Sequence, residues 1–317
     1  MSFAFDTKHW ALILGGSSGF GLATAHKLAR HGMNVAVVHR DRRGAMPPIE
    51  VEFESIRAEG VRFLAVNVDA LSAEGRTEAL GALAEQLGPD GRVRLLMHSI
   101  AFGNLKVLAP VAPRAKEEAA RTRARLAERL AVAEPALEAA IKGLITEGAG
   151  DALVHLLDPW PYEDDARLDD EDFTRTVHAM GTSLSSWTQD VFARGMFAAD
   201  ARVIGMTSEG NEVAWRGYAA VAAAKCALES VSRAIALELA PFGVRSNVVQ
   251  AGVTDTPALR RIPGNERMKA VARLRNPLGR LTMPTDVADF ICLLCTDEAR
   301  WVNGALIRVD GGEHIAG

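Results

Sequence analysis

Trp10-Ala11-Leu12-Ile13-Leu14-Gly15-Gly16-Ser17-Ser18-Gly19-Phe20-Gly21 is the stretch that decides the fold. A short apolar run ends in a glycine cluster. Leu22, Ala25, Leu28 and Ala29 then recur at helical spacing. The order is strand, glycine loop, helix. Gly15 permits a tight turn, Gly19 lets a pyrophosphate approach the backbone, and Gly21 lets the helix pack close to the strand. The helix start offers unpaired N–H groups and the positive end of its dipole to a phosphate. A dinucleotide is therefore the expected ligand of this turn, although glycine-rich turns also occur without one.

Further along, Asn34–Val38 reads as a second strand, where the adenosine ribose of a dinucleotide would lie. An acid there would accept from a free 2′-hydroxyl, whereas bases would pair with a 2′-phosphate. The chain continues His39-Arg40-Asp41-Arg42-Arg43, so NADP(H) is expected over NAD(H), which Asp41 keeps open. Residues 62–66, 93–98, 203–208, 244–249 and 305–309 read as five more strands. Strands alternating with helices imply an α/β fold, a Rossmann-type doubly wound parallel sheet of seven strands, with its ligand at their carboxyl ends. We expect one domain over residues 1–317, interrupted by an insertion at about 106–172 that carries no strand pattern. Residues 114–147 read as two charged helices joined near Pro135, the first rich in arginine. An acidic stretch, Asp158–Asp165, follows. The insertion is expected beside the site, as a lid, a docking surface or a subunit contact.

Bulk properties narrow the class. The 317-residue chain has a formal charge of −4, so a polyanion-binding surface is not expected. No apolar run approaches the roughly 18 residues of a membrane span, and the first residues lack the pattern of a signal peptide. Three cysteines fit a reducing cytoplasm better than a disulfide framework. Cys292 and Cys295 sit on what reads as an apolar helix face, and no second ligand pair accompanies them, so no metal is expected.

The chemistry points to Gly217-Tyr218-Ala219-Ala220-Val221-Ala222-Ala223-Ala224-Lys225-Cys226-Ala227-Leu228-Glu229, read as the start of an alanine-rich helix. Tyr218 is one of only two tyrosines in the chain. Seven residues bring a helix nearly back to its starting direction, with a rise of about 10 Å. Tyr218 and Lys225 are thus expected on one face, the ammonium lowering the pKa of the phenol. A surface tyrosine with a solvated lysine is the plain alternative.

The glycine loop, the Tyr218/Lys225 helix, the Ala251-Gly252 turn and the closing Val309-Asp310-Gly311-Gly312 together resemble the short-chain dehydrogenases/reductases. The resemblance covers nearly all of the chain except the insertion. Most members place tyrosine and lysine four apart, but here Val221 and Ala222 occupy that region. The longer spacing, with His98-Ser99-Ile100-Ala101-Phe102, is similar to the divergent enoyl-thioester reductases. Ser208 and the ordinary glycine loop pull the other way, toward carbonyl reduction.

The resemblance implies NADPH-dependent reduction of the C2=C3 bond of a 2-enoyl thioester, carried on acyl carrier protein or coenzyme A. Tyr218 would be the acid, Lys225 would hold the nicotinamide ribose, and Ser208 would be a second donor. It implies cofactor contacts from Gly15, Ser17, Ser18, Gly19, Phe20, Gly21, His39, Arg40, Asn67, Val68, Ser99, Ile100, Ala101, Lys225, Gly252, Val253, Thr254 and Thr256. It also implies a homotetramer or homodimer. A carbonyl reductase or alcohol dehydrogenase is the first alternative, and a non-catalytic NADP(H)-binding protein the second.

Overall fold

The computed structural model describes residues 3–110, 112–157 and 167–316, and only the backbone of 113–116. The acidic stretch at 158–165, with Tyr162, lies outside the described residues, as do the side chains of Arg114 and Lys116. The strands are β1 (His9–Leu14), β2 (Asn34–His39), β3 (Phe63–Asn67), β4 (Arg92–His98), β5 (Phe197–Ser208), β6 (Val244–Ala251) and β7 (Leu306–Val309). They form one sheet in the order β3-β2-β1-β4-β5-β6-β7, and every pairing is parallel. The order reverses between β1 and β4, which opens a crevice at their carboxyl ends.

The helices are α1 (Gly19–Arg30), α2 (Met46–Arg57), α3 (Ala73–Leu87), α4 (Pro113–Leu130), α5 (Glu134–Thr146), α6 (Asp170–Val177), α7 (Ser183–Ala193), α8 (Ala219–Glu238), α9 (Asn265–Arg275) and α10 (Pro284–Leu294). Both faces of the sheet are covered, so its central strands are buried almost throughout. Alternate residues divide between two cores. Ala11, Ile13, Val35, Val37, Leu95 and Met97 join Ala25, Leu28 and Ile291 on one side. Trp10, Leu12, Leu14, Val38 and Leu96 join Leu83, Trp187 and Leu228 on the other. Among the described residues no helix is long and apolar enough to cross a membrane.

Three elements differ from the sequence expectation. β5 begins at Phe197, because Phe197 pairs with Val93 ahead of an irregularity in β4. Over residues 173–197, where the sequence returns to a helix pattern, the chain forms α6 and α7, separated by a π-helical turn at His178–Thr182. That turn lies against α8 so closely that a Cβ on Gly181 would stand 2.7 Å from the Ala224 carbonyl oxygen. Helix α9, which no sequence pattern marks, packs against the insertion. Ala270 and Val271 join Ile141, Ile145 and Val154 in a separate small core. Within the insertion the two helices expected over 114–147 appear as α4 and α5. Its only strand-like contact among the described residues is an isolated bridge between Val107 and Arg167.

Candidate active site

The glycine turn has the shape a pyrophosphate requires. Gly15 adopts φ +82°, and a Cβ there would stand 2.6 Å from the Ser99 carbonyl oxygen. On Gly21 a Cβ would meet the Gly15 carbonyl oxygen at 2.3 Å, so α1 can start here only on glycine. Ser18 holds the N-cap of α1 with extended backbone, and its side chain makes no capping bond. The first N–H groups of α1 therefore lack the usual side-chain partner. Across the gap, Thr256 Cγ2 would lie 3.5 Å from a Cβ on Gly19, in ordinary contact. This donor set fits a phosphate group.

At the end of β2, several expected cofactor residues already have partners. The His39 ring, buried, pairs with Asp41 through Nδ1 at 2.9 Å. Asn67 Nδ2 donates to the Asp41 carbonyl oxygen at 2.9 Å, and the Asp41 amide donates to Asn67 Oδ1 at 3.2 Å. Arg40 donates to Asp69 at 2.7 Å and lies over the Phe102 ring. Arg42 and Arg43 are exposed. Val68 N–H bonds the His39 carbonyl, and Ser99 N–H bonds that of Leu14, so both stay at the strand ends. Ile100 and Ala101 follow there, Ala101 exposed.

After β6, the Val253 N–H does not point free into the crevice but donates to Glu313, 3.1 Å to Oε2 and 3.4 Å to Oε1. Thr254, buried, donates to the Gly252 carbonyl at 3.0 Å. Burial raises the Glu313 carboxyl to about 7. Nothing in the sequence pattern marked this residue, because its partner lies sixty positions away.

Ser208, the last residue of β5, meets Tyr218: Oγ and the phenol oxygen are 3.4 Å apart. Tyr218 occupies the N-cap of α8 at φ −110°, not its first turn. From there the phenol and the Lys225 ammonium both reach the end of β5, at Ser208 and at Met206. Lys225 is buried and donates to the Met206 carbonyl at 2.8 Å, one residue pair before Ser208 on β5. The expected depression of the phenol is not seen: burial raises Tyr218 above its usual value, opposed by the bond to Ser208. For Lys225, burial lowers the ammonium to about 8, with the Glu229 carboxylate acting to raise it. The tyrosine ring is also backed by Gly210, where a Cβ would stand 2.5 Å from Cε1.

Glu229, one turn beyond Lys225, is a residue whose role the sequence did not reveal. Its Oε1 accepts from Thr207 at 2.9 Å and from Asn211 at 2.7 Å. It thereby fastens the end of β5 and the turn that follows to α8. The spacing of four from Lys225 was the available signal. Beneath them, buried His98 bonds Ser183 at 2.8 Å, and burial lowers its pKa to about 3, so it is neutral.

Cys292 and Cys295 are both buried, and burial pushes their thiols up to about 11 and about 12. Among the described residues no group of His, Cys, Asp or Glu is placed to hold a metal. A cavity of about 310 Å³ is lined by Asn276, Leu278, Arg280 and Gly311 among others; neither Ser208 nor Tyr218 reaches it.

A doubly wound parallel sheet with an uncapped glycine turn at its switch point, and a serine–tyrosine pair two strands away, defines an oxidoreductase fold of the dinucleotide-binding class. A family model described as "Enoyl-(Acyl carrier protein) reductase" matches residues 112–314, and one described as "short chain dehydrogenase" matches residues 9–121. The chain belongs to the short-chain dehydrogenase/reductase superfamily of nicotinamide-dependent oxidoreductases.

Among its relatives, the trans-4-hydroxycyclohexanecarboxylate dehydrogenase of Sinomonas cyclohexanicum is 26% identical over 96% of this chain and 92% of its own. The 2,5-dichloro-2,5-cyclohexadiene-1,4-diol dehydrogenase of Sphingobium indicum is 23% identical over 95% and 94%. A dehydrogenase/reductase structure from Sinorhizobium meliloti superposes with a TM-score of 0.69 over 98% of this chain and 97% of that one, at 22% identity. The promiscuous reductase LugOII gives the same TM-score over 99% and 100%, at 23% identity. These structural likenesses establish the fold.

Proposed function

We propose that the protein interconverts a secondary alcohol and a ketone with NADP(H). The observation that carries this reading is the Ser208–Tyr218 pair, two hydroxyls 3.4 Å apart at the carboxyl end of β5. Two such donors can converge on one carbonyl oxygen, where negative charge grows during reduction. NADPH supplies the hydride when bound. Tyr218 gives the proton to the oxygen, Ser208 orients it, and the Lys225 ammonium stabilises the phenolate left behind and holds the ribose hydroxyls. The glycine turn and α1 hold the pyrophosphate, and Arg40, Arg42 and Arg43 lie where a 2′-phosphate would need cations. The two relatives aligned over nearly the whole chain are named as dehydrogenases of ring alcohols, which favours a cyclic substrate.

The test is a panel of cyclic ketones and alcohols, acetoacetyl-CoA and crotonyl-CoA, each with NADPH and NADH. Turnover of a ketone or alcohol, faster with the phosphorylated cofactor, is expected. Turnover of crotonyl-CoA alone would establish the second reading, reduction of an enoyl thioester. That reading is favoured by the seven-residue interval from Tyr218 to Lys225 and by the description of the family model spanning 112–314.

The pH dependence follows from Lys225. Reduction needs a protonated Tyr218 and a charged Lys225. Tyr218 lies above its ordinary value, so the lysine at about 8 loses its proton first. In the reductive direction kcat/KM, which reports the free enzyme, is expected to fall as pH rises through about 8. Glu229→Gln removes the charge that holds the ammonium up, so the limb should move to lower pH. A wild-type profile flat across that range would remove Lys225 from the scheme.

A further inference from the structure

Two arginines near the end of α9 grip opposite partners. Arg273 is bidentate to Asp151 of the insertion, Nε to Oδ2 at 2.7 Å and Nη2 to Oδ1 at 2.6 Å. Its Nη2 also donates to the Ile145 carbonyl at 3.0 Å. Two residues on, Arg275 is bidentate to Glu209, Nη2 to Oε1 at 2.6 Å and Nη1 to Oε2 at 3.0 Å. All four side chains are less than one-fifth exposed. Positions two apart on a helix diverge by about 200°, so the two bridges pull on nearly opposite sides of α9. Bidentate charge-assisted pairs of this kind are among the strong polar contacts, and they set geometry as well as energy.

The far ends of these bridges matter. Glu209 directly follows Ser208 and opens the turn Glu209–Asn211, whose Gly210 backs the Tyr218 ring. Asp151 opens the turn Asp151–Leu156, whose Val154 is buried with Ile141, Ile145 and Ala270. Arg267 of α9 donates to the Val154 carbonyl at 2.8 Å, and Arg123 of α4 to that of Leu156 at 3.0 Å. Insertion and α9 therefore share a core and a hydrogen-bond network. The insertion leaves the carboxyl end of β4 and α9 follows that of β6, on either side of β5. At its base, Leu105 packs in the cluster that includes Tyr218, Met180 and Val221.

We infer that Asp151 is a positioning residue for the Ser208–Tyr218 pair, acting through Arg273, α9, Arg275 and Glu209. The insertion is thus a brace for the catalytic turn. The inference rests on the assignment of Ser208 and Tyr218 made above, but its first readout needs no substrate. The amides of Glu212 and Val213 donate to the Glu209 carbonyl at 3.0 and 2.9 Å, so their hydrogen exchange reports opening of the turn.

Asp151→Asn keeps the shape and removes the charge. It is expected to speed exchange at Glu212 and Val213 by roughly tenfold, equivalent to about 1.4 kcal/mol. It should lower kcat by a comparable factor, with NADPH affinity unchanged. The exchanged pair Asp151→Arg with Arg273→Asp should restore both. Faster exchange confined to 145–156 and 265–275, with Glu212 and Val213 as in the wild type, would overturn the inference. If the wild type turned over no ketone or alcohol, the exchange result would still decide it, and only the reading of the reaction would fall.

Discussion

Tyr218→Phe is expected to lower kcat by about 10³-fold, inside the 10²–10⁴-fold range of a positioned proton donor. The phenol oxygen is the atom removed, and it pairs with Ser208 Oγ at 3.4 Å. The ring keeps its place beside Val177, Met180 and Val221, and the glycine turn is untouched. NADPH binding, followed by fluorescence titration, should therefore stay at the wild-type value. This split between binding and turnover separates a catalytic tyrosine from a structural one. Retention of more than about a tenth of kcat would sink the assignment, since general acid catalysis supplies at least 10²-fold. Loss of NADPH binding would show that the ring shapes the cofactor site instead.

Gly210→Ala should cost nearly as much without touching a reactive atom. The added methyl would stand 2.5 Å from Tyr218 Cε1 and 2.7 Å from Cδ1. No heavy atoms rest at such a distance, so the ring or the turn must move. A misplacement of about 1 Å at a reacting group can cost about 10²-fold in rate, and a loss of that size in kcat is expected. The backbone of Gly210 is not in the left-handed region, so alanine is tolerated conformationally and the effect is steric alone. Gly44→Ala is the control, because its Cβ would meet nothing within 4 Å. Equal, small effects of the two changes would mean that the ring is free to shift and that Gly210 does not set its position.

Together the two substitutions separate the donor from its placement, and the exchange experiment on Asp151 extends placement to the insertion. One difference between expectation and structure bears on both. The tyrosine was expected within the helix, its phenol depressed by the lysine. In the fold Tyr218 caps α8, and its phenol is raised by burial. One of the three ammonium donors of Lys225 is held by the Met206 carbonyl. On the proposed mechanism the phenol is thus a poor acid in the free protein.

Much of this protein was legible in its sequence because the information was local. A parallel strand buried on both faces is nearly continuous in apolar residues, so Trp10–Leu14 announces itself, and Val93–Met97 does so with only Arg94 interrupting it. Gly15 and Gly21 are needed where backbone meets backbone, and they fall within seven residues of one another. The Ser208 and Tyr218 candidates lie ten apart at the end of one strand and the start of the next helix. The alternation of such units was enough to require the sheet.

What only the tertiary structure decided lies in pairs distant along the chain. The Val253 amide closes on Glu313, Arg273 on Asp151 across 122 positions, and Arg275 on Glu209 across 66. No periodicity encodes such partners, because a charged side chain looks alike in sequence whether water or a buried carboxylate receives it. Helix α9, half of whose purpose is to be held, was invisible for the same reason. Packing alone turns its arginines from a solvated face into a link between the insertion and the turn behind Tyr218.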